Sequence, residues 1–197
     1  VVSTDMLVQD RHFRLEWSSA EDIGRKAAAQ NIADLSAMGA RPVALTAAIA
    51  LPPHTPVEWV LGVVDGLVAE AAQVGAVVVG GDVTRAENVT ISVTAMGVPA
   101  GSRLVPRNGA KPGDVVAICG RLGWAAAGLA VLGRGFKSPR VVVDAHRRPH
   151  PPYAAGPAAA AAGATAMIDV SDGLLADLGH IADASGVQIV LDPQLLP

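Results

Sequence analysis

The 197-residue sequence is poor in aromatics, cysteine and basic charge, and it has no long apolar run. Aromatic side chains supply 3% of residues while hydrophobic ones supply 51%, so Ala and Val carry the apolar content and the layers must pack through small side chains. A single Cys119 excludes an internal disulfide, and its place in "VVAICG" predicts a buried strand thiol, not a reactive one. The net charge of −3, without any basic tract, leaves no nucleic-acid footprint. No apolar stretch reaches the roughly 18 residues of a membrane span. The longest candidate, 154–168, is interrupted by Gly156, Pro157 and Gly163. No signal-peptide pattern is visible, so the expected setting is reducing and cytoplasmic, with no membrane and no nucleic acid as partner. There is also no GxxxxGK[ST] and no helix-opening GxGxxG. A nucleotide held here needs another kind of phosphate cradle.

What is present reads as a chain long enough for one ordinary domain or two small ones. Residues 1–8 are rich in β-formers. "SSAEDIGRKAAAQNIADLSAMGA" reads as a helix capped by Ser18 or Ser19, with Glu21 three residues after Ser18, and stopped by Gly39. The strand 42–51 follows, then a helix opened by Thr55, Pro56 and Glu58 and closed by Gly75. Strands at 76–81 and 88–98 complete a β-α-β-α-β-β order. The Pro-, Gly- and Arg-rich stretch 99–114 reads as a linker between domains 1–103 and 104–197. Beyond it, strands are expected at 115–119, in "TAMIDV" and in "VQIVL". Helices are expected at about 123–133 and 153–162 and in "GLLADLGHIADAS". The segment "HRRPHPP" reads as a solvated loop. The fold class is α+β / α/β: an N-terminal α+β domain with a mixed sheet, then a C-terminal α/β domain.

The acids carry the chemistry. Asp5 interrupts a strand, Asp34 lies late on the first helix, Asp82 follows "VVVGG", and Asp169 and Asp172 frame "DVSDG". Each alone has a structural explanation as a turn residue, a cap or a solvated helix residue. Five carboxylates at element ends would repel one another unless cations separate them. Hard divalent ions such as Mg²⁺ take oxygen ligands and bridge carboxylates to phosphates, and the hydroxyls of Ser3 and Thr4 beside Asp5 suit the same ion. Zinc is disfavoured: there is no Cys cluster, and His146 and His150 fall four apart in a Pro/Arg-rich stretch. Arg107 offers a planar fork of donors to phosphate, and the glycines of "GGD" leave room for close ligand approach.

Taken together, "STDMLVQDRHF", "NIADLSAMGARP", "VGGDVTR", "RNGAKPGD" and "IDVSDGLLADLGHI" resemble the thiamine-monophosphate kinase family. That family is part of the superfamily of aminoimidazole ribonucleotide synthetase, selenophosphate synthetase and a hydrogenase-maturation protein. The resemblance runs in order over nearly the whole chain. It implies phosphorylation of thiamine phosphate to thiamine diphosphate by ATP, assisted by several Mg²⁺ ions, in a homodimer to whose interface the N-terminal sheet contributes. It implies metal ligation by Ser3, Thr4, Asp5, Asp34, Asp82, Asp169 and Asp172. Nucleotide contacts fall to Gly81, Asp82, Arg107 and Ser171, and a thiamine phosphate contact to His12. No general base is expected. Val64 departs from the pattern, standing about where many members carry an aromatic near the adenine. The family pattern also begins earlier and continues later, so the chain is expected to be cropped at both ends. Two rivals stand beside the kinase: a sister ATP-using enzyme such as aminoimidazole ribonucleotide synthetase, and a non-catalytic nucleotide-binding copy.

Overall fold

The computed structural model describes residues 1–192 and residue 194. Four strands form one mixed sheet: β1 (Val2–Val8), β2 (Ala40–Leu51), β3 (Val77–Arg85) and β4 (Thr90–Pro99), in the spatial order β1-β4-β2-β3. β4 pairs antiparallel with both β1 and β2, whereas β2 and β3 run parallel. A parallel pair needs a crossover, and α2 (Val57–Ala72) supplies it.

α1 (Ala20–Ala37) and α2 cover one face of this sheet. Their apolar sides meet the inward residues of the strands, and Ile23, Ile32, Leu35, Leu45, Val63, Leu67, Ile91 and Val93 are buried together. The scarcity of aromatics has the consequence expected of it. A Cβ on Gly24 would overlap the Val63 carbonyl, and one on Gly66 would overlap the Glu21 carbonyl, so the two helices touch backbone to backbone. α1 starts at Ser19, whose hydroxyl accepts from Asp22 N–H (3.1 Å) while Asp22 accepts from Ser19 N–H (3.0 Å). The capping box is therefore Ser19 with Asp22, not Ser18 with Glu21. α2 corrects another expectation: Pro56 occupies the cap position, and the Thr55 hydroxyl donates to Pro52 O (2.9 Å) instead of capping.

The second half holds α3 (Trp124–Gly133), α4 (Arg140–Arg147), α5 (Ala155–Ala161) and α6 (Leu174–Ser185). α4 was missed: its Pro-rich flanks hid an eight-residue helix whose last turn carries His146. The three strands expected here do not form among the described residues. Residues 115–119, 165–170 and 187–191 lack ladder partners, and a β-rich run becomes a strand only when another backbone pairs with it. Cys119 lies in such a run and is exposed, not buried. Asp82 lies inside β3, not after it.

The halves are tied by several bonds. Val105 N–H donates to Met38 O (3.0 Å). Arg148 pairs with buried Asp22, and the Tyr153 hydroxyl donates to Glu70 Oε1 (2.7 Å). Glu70 is only 2% exposed and also meets Gln73 (2.7 Å) and Arg25 (3.4 Å), so its buried charge is fully engaged. "HRRPHPP" is thus a strap, not simply a solvated loop: its Arg148 reaches α1, and Tyr153 just beyond it reaches α2.

Candidate functional site

Alternation along β1 sends Ser3, Asp5 and Leu7 toward α1 and leaves Val2, Thr4 and Met6 exposed on the far face. Near the C-terminal end of α1, Asp34 Oδ2 accepts a hydrogen bond from the Ser3 hydroxyl. Ser3 and Asp34 line a cavity of about 520 Å³ with Leu35, Arg107, Asn108 and Asp169. Two elements of the first half and two loops of the second therefore meet in one place.

The electrostatics there are those of crowded carboxylates. Burial pushes Asp34 up to about 6, with the charges of Asp169 and Asp5 adding to it; the Ser3 hydrogen bond and the Arg107 charge oppose the rise. Asp169 is raised too, first by burial, then by Asp177 and Asp5, against its own backbone N–H and Arg107. Three carboxylates within mutual electrostatic reach and one guanidinium form an oxygen-rich, electron-rich set. That donor chemistry suits a hard divalent cation, which would let all three ionise together.

The other expected residues fall elsewhere. Register fixes Asp82: Asp5 lies opposite Val93, Val93 opposite Ala47, and Ala47 opposite Gly81. Gly81 therefore shares the helix-covered face with Asp5, and Asp82 turns to the other face with Thr4. Asp82 stands across Ala48, with two strands between it and Met6 of β1. Thr4 Oγ1 lies 3.1 Å from Val93 O and 3.0 Å from Thr94 Oγ1. The missing Cβ of Gly81 makes room for the Ala47 carbonyl of β2, so its closest approach is to a neighbouring strand rather than to open space. Val64 is exposed on α2.

Ser171 and Asp172 sit in a tight turn before α6. Their backbone N–H groups and that of Gly173 all donate to Asp177 Oδ2, at 3.0, 3.1 and 3.1 Å. Asp177 was not anticipated, although an acid four residues beyond an "SDG" turn is well placed to gather such N–H groups. Donor atoms of Asp172, Asp177 and His180 lie within 4.8 Å of one another. His180 is exposed. His12 is exposed at the end of β1, and its Nδ1 accepts from Val8 N–H (2.9 Å). Trp17 carries Arg14 over its ring at 4.4 Å and meets His146 edge-on at 6.3 Å; Trp59 packs on the core. Trp124 lies under Arg121 at 4.5 Å.

Comparisons with known proteins agree with this architecture. The N-terminal domain model of AIR synthase related proteins matches residues 1–99, and the C-terminal domain model matches residues 111–197. A thiamine-monophosphate kinase from Mycobacterium tuberculosis H37Rv is 53% identical over the whole chain, which spans 59% of that protein. The crystal structure of thiamine-monophosphate kinase from Stenotrophomonas maltophilia K279a superposes with a TM-score of 0.86 at 40% identity. It covers 94% of this chain and 60% of its own. The structure of AaThiL complexed with AMPPCP and TMP gives a TM-score of 0.88 at 32% identity, covering 94% of this chain and 60% of its own. The chain thus spans about three-fifths of the length of these relatives.

Proposed function

The chain belongs to the family of AIR synthase related proteins, and from that premise we propose that the protein carrying it is a thiamine-phosphate kinase. It transfers the γ-phosphoryl group of ATP to the phosphate of thiamine phosphate, giving thiamine diphosphate and ADP. The observation that carries this reading is the convergence of Ser3, Asp5, Asp34, Arg107 and Asp169 from both halves. The relatives' names and the bound nucleotide analogue and TMP of AaThiL support it.

The acceptor explains why no general base is needed. A phosphate monoester has its second pKa near about 6, so its attacking oxygen is mostly ionised at neutral pH. The obstacle is the meeting of two polyanions: like charges at about 4 Å repel by roughly 4 kcal/mol at an effective dielectric near 20. Magnesium held by the carboxylates would supply the compensating charge and polarise the transferring group. Within this chain, Asp34 and Asp169 both line the cavity, Ser3 orients Asp34, and Arg107 brings a guanidinium to the phosphates. Asp5, Asp172, Thr4 and Asp82 complete the proposed metal set. Gly81, Asp82 and Ser171 are proposed for the nucleotide and His12 for thiamine phosphate. Thr4 and Asp82 stand on the uncovered face of the sheet, where Val2 and Met6 are exposed, and not among the residues that line the cavity. A homodimer is proposed to cover that face. No helix among the described residues is long and apolar enough to cross a membrane, and a cytoplasmic location is proposed, with the chain divided at 103/104.

The test is thiamine diphosphate formation by the intact protein from ATP and thiamine phosphate, with and without Mg²⁺. Mg²⁺-dependent product supports the reading. Turnover of formylglycinamidine ribonucleotide instead, or no turnover with either acceptor, overturns it.

A further inference from the structure

Lys26 stands out among the cations because its part-buried side chain ends on a backbone carbonyl and not on a carboxylate. It lies on α1, and burial brings its pKa down to about 8. No ion pair involves it among the described residues; its ammonium donates to the backbone carbonyl of His12 at 2.8 Å. Of the charged groups nearby, His146 on α4 is held neutral, at about 4, by burial and by the charges of Lys26 and Arg147. A methionine here would cover the same surface without the desolvation cost, so packing of the lysine stem does not account for the ammonium.

What the ammonium holds is informative. The His12 turn is fixed at three points: Val8 O accepts the N–H groups of Arg11 (3.2 Å) and His12 (2.9 Å), Val8 N–H occupies Nδ1 (2.9 Å), and Lys26 takes the carbonyl. With Nδ1 acting as acceptor, the proton of the neutral ring resides on Nε2. The exposed imidazole is therefore presented in one tautomer as a donor, on a turn braced from behind by α1.

We propose that Lys26 is a positioning residue for the acceptor: it clamps the His12 carbonyl so that the Nε2–H of His12 is pre-aimed at the phosphate monoester, thiamine phosphate. This rests on the reading of His12 as a thiamine phosphate contact. Without the clamp the turn and ring must be ordered when the ligand binds, a loss of about fivefold to tenfold in affinity. ATP, held by the acids and Arg107, is untouched by it.

The experiment compares Lys26→Met, Lys26→Arg, His12→Ala and the Lys26→Met/His12→Ala double variant of the intact protein. KM for each substrate, kcat, and thiamine phosphate binding by equilibrium dialysis are measured. Lys26→Met is expected to raise KM and Kd for thiamine phosphate about fivefold to tenfold, with kcat and the KM for ATP within about twofold. Lys26→Arg is expected to recover most of the loss, and the double variant to bind no worse than His12→Ala alone. Removing a desolvated charge leaves the melting temperature of Lys26→Met equal to wild type or higher. Three results overturn the proposal: equal losses for both substrates, losses that multiply in the double variant, or no effect of Lys26→Met where His12→Ala weakens thiamine phosphate. Unchanged thiamine phosphate binding in His12→Ala overturns the reading of His12, and the role of Lys26 with it.

Discussion

The two halves of the chain share an Ala- and Val-rich composition and meet opposite fates. Every buried member of the main core cluster lies between Leu7 and Ala95. Residues after position 103 add little buried apolar surface, chiefly Val105, Leu132, Val143 and Ile181. Val115 is 90% exposed and Val190 81%. The difference is one of partners. β4 finds β1 on one side and β2 on the other, and two glycine-notched helices close the face, whereas the extended runs at 115–119 and 187–191 have no strand beside them. Apolar sequence makes a core only where the topology brings backbones together. The candidate site draws on both halves nonetheless, with Asp34 from the packed one and Asp169 from the open one.

The largest effect that sharpens this comparison is functional. Asp34→Asn and Asp169→Asn, one from each half, are each expected to lower kcat by more than about a hundredfold, since loss of a ligand costs at least what loss of a supporting partner does. Near wild-type turnover in either variant would show that the halves do not share a site. Asp34→Asn carries a second, opposite signature. A carboxyl raised to about 6 from 3.8 binds its proton more tightly in the folded state than in the unfolded one. Its contribution to stability is present below the unfolded value and lost as pH rises through about 6. Metal-free Asp34→Asn should therefore melt a few degrees (roughly 2–4 °C) above wild type at pH 7.5, with the gap closing at low pH. Thermal melts across pH in chelator check this.

Next comes the core. Leu67→Ala and Ile91→Ala are expected to cost about 2–5 kcal/mol by urea unfolding, because each removes a fully buried side chain. Val115→Ala on this chain should stay within about 0.5 kcal/mol. A large cost at Val115 would mean that the second half packs more tightly than its exposure indicates. Between these lies the junction. Tyr153→Phe withdraws a donor from buried Glu70 and is expected to cost about 1–3 kcal/mol. The Tyr153 hydroxyl itself is held protonated, its pKa driven up by burial and then by Glu70.

Much of the first half was legible because local signals and partners agreed. The caps, the two helical periods and the strand spacing placed β1 to β4 and both helices, but misassigned which of several adjacent residues does the capping and ended β3 before Asp82. The second half was legible in its helices, whose hydrogen bonds are internal, and not in its strands, whose bonds lie outside the segment. α4 escaped notice because Pro139 and the prolines after Arg148 bracket it so closely. In the site, the pattern of acids located Asp34 and Asp169 on one cavity. Sequence could not reveal that alternation and register turn Asp82 to the opposite face from Asp5, because that depends on pairing across three ladders. Nor could it single out Lys26, whose significance comes from the carbonyl it meets and not from its neighbours in the chain.

The most direct examination of the shared site is a crystal structure of the intact protein grown with Mg²⁺ and a non-hydrolysable ATP analogue. Cation density about 2.1 Å from carboxylate oxygens of both Asp34 and Asp169 is the predicted result. Density absent between them, with the two side chains turned to separate surfaces, would contradict it.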